Sequence, residues 1–174
     1  EAYANQVAPA IDRAQLYEAE RRQRLRAEEA ERREHAVATR LQRALLPERV
    51  VDDPRLTVTA RYQPGTAYLT VGGDWYDTLA LPGGRVALTI GDVAGHGIDA
   101  AAAMGRIRSA IQAFSQAMPA PGTVLGQLEV FASRFAELDF LTLCHAVLDP
   151  ATGAIDYASA GHPPILVVDA QGNP

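Results

Sequence analysis

The chain contains no lysine; all 16 of its basic residues are arginine. That excludes chemistry requiring a side-chain amine, such as the lysine of a nucleotide-binding P-loop or a lysine Schiff base. Cysteine is nearly as scarce. Cys144 stands alone, so no internal disulfide can form, and its place in the apolar run from Phe140 to Leu148 marks a buried strand thiol suited to a reducing cytoplasm. No apolar stretch approaches the roughly 20 residues needed to span a bilayer, and no signal peptide is visible. Excess positive charge is also missing. A net charge of -5 argues against a dedicated nucleic-acid partner. The chain begins with Glu1 instead of Met, from which a piece of a longer protein is expected.

What remains is a chain of 174 residues, 48% hydrophobic, long enough for one cored domain and an appendage. The first third reads as helix. Val7, Ile11 and Leu16 recur at helical spacing, with Pro9 expected to kink the helix between them. From Glu20 to Glu34 the chain is nearly all Arg and Glu, and Glu18 to Arg22, Glu20 to Arg24, Glu28 to Arg32 and Glu29 to Arg33 are favourable i to i+4 pairs. A weak apolar seam strengthens at Val37, Leu41, Ala44 and Leu45 before Pro47 stops it, which points to a parallel coiled-coil linker in a homodimer rather than a solvated single helix. Such a helix would span on the order of 65 Å at about 1.5 Å per residue, a length suited to signal transmission.

From Val51 strands and turns take over. Leu56 to Tyr62 alternates as a half-buried strand, Pro64-Gly65 marks a turn, and Thr78 to Leu81, Pro82-Gly83-Gly84 and Val86 to Ile90 read as a hairpin. Helices follow from about Asp99 to Met118 and from Thr123, a plausible N-cap, to Phe135. Phe140 to Leu148, Ala154 to Ala160 and Ile165 to Val168 close the pattern as antiparallel strands. Short connections between strands make this an α+β fold with helices layered on an antiparallel sheet.

Two glycine-rich stretches carry the candidate chemistry: Val71-Gly72-Gly73-Asp74-Trp75-Tyr76-Asp77 and Gly91-Asp92-Val93-Ala94-Gly95-His96-Gly97. Two carboxylates brought together are unstable as a dianion unless a cation lies between them. Oxygen donors without cysteine or clustered histidine select hard Mg²⁺ or Mn²⁺ over Zn²⁺. Glycine lets backbone carbonyls and water approach such an ion. A phosphate-cradling loop competes for the second stretch, but Asp92 would repel phosphate and the neighbouring strands are hairpin-linked. Turn-forming aspartates beside glycine are the bland alternative.

These stretches, with Ala158-Ser159-Ala160-Gly161-His162-Pro163-Pro164, resemble the motifs of the bacterial SpoIIE/RsbU-type phosphatases, a branch of the metal-dependent PPM (PP2C-like) family. Leu41 to Pro47 resembles the helix that precedes the catalytic domain in that family, and Ala4 to Tyr17 is similar to the last helix of a GAF sensor domain. The resemblance implies three segments: residues 1–19 from the sensor, 20–50 as coiled-coil linker and switch helix, and 51–174 as a phosphatase domain cut at its C-terminus. It implies a four-layer α-β-β-α sandwich, of which this chain holds the N-terminal part, with two Mn²⁺ or Mg²⁺ ions in its cleft. The implied reaction is hydrolysis of phosphoserine or phosphothreonine on a signalling protein such as an anti-sigma-factor antagonist, by a water that two metals activate.

By the same resemblance Asp92 matches the carboxylate bridging both metals, the Val93 carbonyl a further ligand, and Asp74 the acid on the second metal. Gly73 flanks that acid, and Asp77 is expected behind it, orienting water or backbone. His96 stands between two readings, general acid or loop histidine. His162 is expected as a structural turn residue near the cleft rim, His145 as a strand residue, and His35 as part of the charged helix. Further aspartates of the family pattern are expected beyond Pro174, so the fragment by itself is expected to bind metal weakly. A catalytically degenerate domain serving as a dimeric relay is the alternative to an enzyme.

Overall fold

The computed structural model describes residues 2–47, 50–62, 73–135, 140–169 and 171–172, with the side chains of residues 2–12, 42 and 43 outside that description. The turn expected at Pro64-Gly65, the Val71-Gly72 step and the side-chain seam of Val7 and Ile11 therefore lie outside the described residues. Helix α1 runs Ala2–Leu45; strand β1 is Trp75–Leu81 and β2 is Arg85–Val93, joined by a short 3₁₀ turn at Pro82–Gly84. Helices α2 (Gly97–Ala117) and α3 (Pro121–Ala132) follow, then β3 (Leu141–Leu148) and β4 (Ile155–Ala160). The four strands form one sheet in the order β1-β2-β3-β4, antiparallel throughout.

Strand alternation divides this sheet into two faces. Trp75, Val93 and Leu143 point toward the helices and join Met104, Ile107 and Ile111 of α2 and Val124 and Leu128 of α3 in the main core. Leu81, Ala87 and Val147 extend that face as a smaller cluster. The Trp75 indole lies across Gly91 on the neighbouring strand, where any Cβ would overlap the ring. A side chain at position 91 is therefore excluded by packing. The indole Nε1–H is buried without a partner among the described residues, a cost of about 1 to 3 kcal/mol that the ring's close packing must offset.

Several expected elements shift. Helix α3 starts at Ala120 and Pro121, not at Thr123: the amides of Thr123 and Val124 both reach the Ala120 carbonyl, at 3.0 and 3.1 Å. Proline at the first helical position already has the required φ, so no polar cap is needed. Residues 56 to 62 do not join the sheet as a strand. They lie beside the edge strand β1, and the neighbouring chain is tied there by Val51 N–H donating to Thr78 Oγ1 at 2.9 Å, while Asp53 and Leu56 form a local bridge within the segment. Residues 165–167 likewise form no strand. They cross the face opposite the helices, where with Ile90, Cys144 and Ala146 they enclose about 300 Å³.

Helix α1 continues through Pro9 without interruption. Of the expected ion pairs, Glu18 and Arg22 meet at 3.0 Å, while Arg24 turns to Glu28 at 3.1 Å. Both are exposed and contribute little. The helix is solvent-facing until its last turns, where Ala38 is fully buried and Leu45 packs onto Gly105 of α2.

His145 is fully buried between β3 and α2. Its Nδ1 lies 2.8 Å from Thr89 Oγ1 and its Nε2 3.3 Å from Ser115 Oγ. Ser115 donates its own proton to the Ile111 carbonyl at 2.7 Å, so it accepts from Nε2–H, and Nδ1 accepts from Thr89. The neutral ring is thus satisfied at both nitrogens. Burial pushes its pKa down from 6.5 to about 4. Between those values the unfolded chain binds a proton that the folded chain does not, so this contribution is complete above about pH 6.5 and is lost as pH falls toward 4. Urea unfolding across that interval should show a loss on the order of 3 kcal/mol, and His145→Gln should remove that part of the slope.

Candidate active site

The pairing of β1 with β2 sets the position of both glycine-flanked aspartates. Trp75 faces Gly91, and the Val93 amide donates to the Gly73 carbonyl at 3.2 Å, so the register continues past the strand end and sets Asp74 opposite Asp92. A pair between two hydrogen-bonded steps is the close kind, with Cα atoms about 4.5 Å apart in regular sheets. Gly73 is required here because a Cβ would collide with the Val93 carbonyl oxygen. Asp74 and Asp92 share the sheet face opposite the helices, and both are exposed.

The electrostatics follow from that opposition. Partial burial pushes the Asp74 carboxyl above its ordinary value, the charge of Asp92 and a hydrogen bond with it push further, and His162 pulls the other way. Asp74 borders a cavity of about 500 Å³ that Arg61, Tyr62, Tyr76, Ile90 and His162 also line. Burial raises the Tyr62 hydroxyl, and the Asp74 charge adds to that.

Asp77 is placed differently. It lies three residues from Asp74, an odd spacing that turns it to the helix-facing side with Trp75, where it is 5% exposed. It accepts from Arg108 Nε at 3.0 Å, Arg108 Nη2 at 3.2 Å, Gln112 Nε2 at 2.6 Å and the Thr78 amide at 2.9 Å. Its oxygens are occupied in fastening α2 to β1. His96 sits at the N-cap of α2 without a capping side-chain bond, and it lines a separate cavity of about 380 Å³ with Asp99 and Arg106. The structure thus brings Asp74 and Asp92 together, with Val93 and Gly73 beside them, and leaves Asp77 and His96 on other surfaces.

Sequence reasoning did not include Thr142, and it treated His162 as a turn residue. Thr142 faces Asp92 across the β2–β3 ladder, and its hydroxyl lies 3.0 Å from His162 Nδ1. A row from Asp74 through Asp92 and Thr142 to His162 therefore crosses the sheet. The signal for Thr142 was its even spacing within β3, but its partner strand lies about 50 residues away in sequence.

The donor set fits a hard divalent cation in part. Two opposed carboxylates, one already holding its proton more tightly through partial burial and the charge of the other, are the arrangement a cation relieves. No group of three or more acidic, histidine or cysteine residues poised to hold a metal occurs among the described residues. In chelator, Asp92→Asn should leave unfolding stability unchanged or raised by about 0.5 to 1 kcal/mol, since it removes a like-charge opposition. Asp77→Ala should lower it by about 3 kcal/mol by leaving Arg108 unpaired. Urea denaturation of both variants checks the opposite signs.

The stage II sporulation protein E (SpoIIE) family model matches residues 82–174. Among curated relatives, Protein IcfG of Synechocystis sp. is 27% identical over 160 residues, covering 76% of this chain and 25% of that protein. The phosphoserine phosphatase RsbP of Bacillus subtilis is 27% identical over 146 residues, covering 81% of this chain and 35% of that one. Among solved structures, the RsbU and RsbW domains of Rv1364c from Mycobacterium tuberculosis match with a TM-score of 0.51 and 39% identity, over 54% of this chain and 26% of theirs. The chain thus spans between a quarter and about a third of these proteins. No described helix is long and apolar enough to cross a membrane. With more than half its length inside the family model and 54% of it matched by the structure of the RsbU and RsbW domains, the chain belongs to the SpoIIE family, as part of a SpoIIE/RsbU-type PPM phosphatase domain.

Proposed function

We propose that this chain is the N-terminal part of the catalytic domain of a metal-dependent protein serine/threonine phosphatase. The observation that carries this reading is the opposition of Asp74 and Asp92 on adjacent strands, with the Asp74 carboxyl raised. Asp92, Asp74 and the Val93 carbonyl would hold Mn²⁺ or Mg²⁺. Such ions supply Lewis acidity toward phosphoryl oxygens and a more acidic water for in-line attack. The chain's own contribution is placement. Both carboxylates stand on a paired, twisted ladder rather than on a free loop, so little reorganisation is needed when charge develops. The cavity that Asp74 borders is large enough for a phosphorylated side chain.

A phosphoprotein of the anti-sigma-factor antagonist kind is the substrate class, supported by likeness to the phosphoserine phosphatase RsbP and to an RsbU domain. In the full-length protein, activity should require Mn²⁺ or Mg²⁺, and Asp92→Ala should lower kcat by at least about 10³-fold. A phosphopeptide-release assay checks this; undiminished turnover by Asp92→Ala would sink the metal assignment.

We further propose a segment plan in which 1–19 ends a GAF-like sensor, 20–50 is a coiled-coil linker with a switch helix, and 51–174 begins the phosphatase domain. Leu16, Leu25 and Val37 support the dimeric linker, because each is half-exposed or more on α1. Sedimentation should show Leu25→Glu with Val37→Glu shifting dimer toward monomer; an unchanged dimer refutes the linker.

A further inference from the structure

Of the four histidines, only His162 lines the cavity that Asp74 borders. Three features hold it there. Gly161, at φ 64°, turns the chain at the end of β4 so that the next residue comes back over β3. The His162 carbonyl accepts from Ser159 Oγ at 3.1 Å. Its ring Nδ1 lies 3.0 Å from Thr142 Oγ1, and Thr142 itself stands directly opposite Asp92. Pro163 and Pro164 then restrict the backbone that leaves the turn. A surface turn residue would not need this anchoring from an adjacent strand.

Thr142 Oγ1 has no other hydrogen bond among the described side chains, so its proton is free to go to Nδ1; with Thr142 as the donor, the ring hydrogen is on Nε2. Nε2 has no partner among the described residues. His162 thus adds an N–H donor to the cavity that Asp74 and Arg61 border, on the side of the carboxylate pair, which by itself can only repel an anion. A phosphoryl group has oxygens to spare for such a donor.

Resting on the phosphatase reading, we propose that His162 is a substrate-contacting residue whose Nε2–H donates to a non-bridging oxygen of the substrate's phosphoryl group, with Thr142 fixing the ring's tautomer and direction. This assigns the row across the sheet two roles. Its acidic end holds cations, and its histidine end binds the phosphoryl oxygens from the far side of Asp92. The contact needs no change of protonation during the reaction.

The test uses the full-length protein with saturating Mn²⁺, a phosphoserine peptide as substrate and inorganic phosphate as competitive inhibitor. His162→Ala should weaken phosphate inhibition and lower kcat/KM by about tenfold each, with the Mn²⁺ requirement and thermal midpoint unchanged. His162→Gln keeps an N–H donor and should return to within a few-fold of wild type. Thr142→Val should fall between them. If His162→Ala does not fold, the ordering of His162→Gln above Thr142→Val in phosphate affinity carries the test instead. Unchanged phosphate inhibition and kcat/KM in His162→Ala overturn the proposal. A raised Mn²⁺ requirement with normal phosphate inhibition also overturns it, making His162 a metal ligand. Failure of the wild type to release phosphate with Mn²⁺ overturns the phosphatase reading before any variant is compared, and this proposal with it.

Discussion

Everything proposed for this chain depends on the register between β1 and β2. If that pairing slipped by one residue, Asp74 and Asp92 would turn to opposite faces and no site would remain. Two glycines hold the register by what they lack. Gly91 admits the Trp75 indole, and Gly73 admits the Val93 carbonyl, so each strand fits the other at one spacing only. The indole nitrogen has no partner among the described residues, and the ring's fit over Gly91 keeps Trp75 in place by shape.

The same ladder separates structure from chemistry by face. Asp77 is buried and saturated by Arg108, Gln112 and the Thr78 amide, so its charge is spent on fastening α2. His145 joins α2 to two further strands as a neutral ring. On the opposite face Asp74 and Asp92 confront each other, and partial burial together with the Asp92 charge makes Asp74 hold its proton more tightly. A protein that keeps such an opposition at its surface while satisfying every oxygen of a neighbouring aspartate is storing unfavourable charge where a ligand can relieve it.

Helix α2 connects this site to the long N-terminal helix. It begins directly after the Asp92 loop, and Leu45 near the end of α1 packs onto its Gly105. Asp77 and His145 in turn fasten α2 to the strands on which the carboxylates stand.

Much of this was legible in the sequence. The hairpin around Pro82-Gly83-Gly84, the α2 stripe and the long charged helix followed from periodicity and turn chemistry, which are local properties. Asp74 and Asp92 stood out because glycine beside a carboxylate is a local pattern as well. The strands expected at 56–62 and 165–168 were not found, since alternation says that a segment is half-buried but not whether it pairs at an edge or lies across a face. Asp77 looked like a member of the acidic motif; only the approach of Arg108 and Gln112, over 30 residues away, assigns its oxygens. Thr142 and His162 became part of the site through pairing of strands distant in sequence. By itself, then, the sequence determined the elements and the reactive residue types, because backbone propensity and side-chain chemistry are carried residue by residue. The tertiary structure alone decided which carboxylates meet and which are neutralised, because cross-strand register and helix docking are set by packing between segments that no local pattern connects.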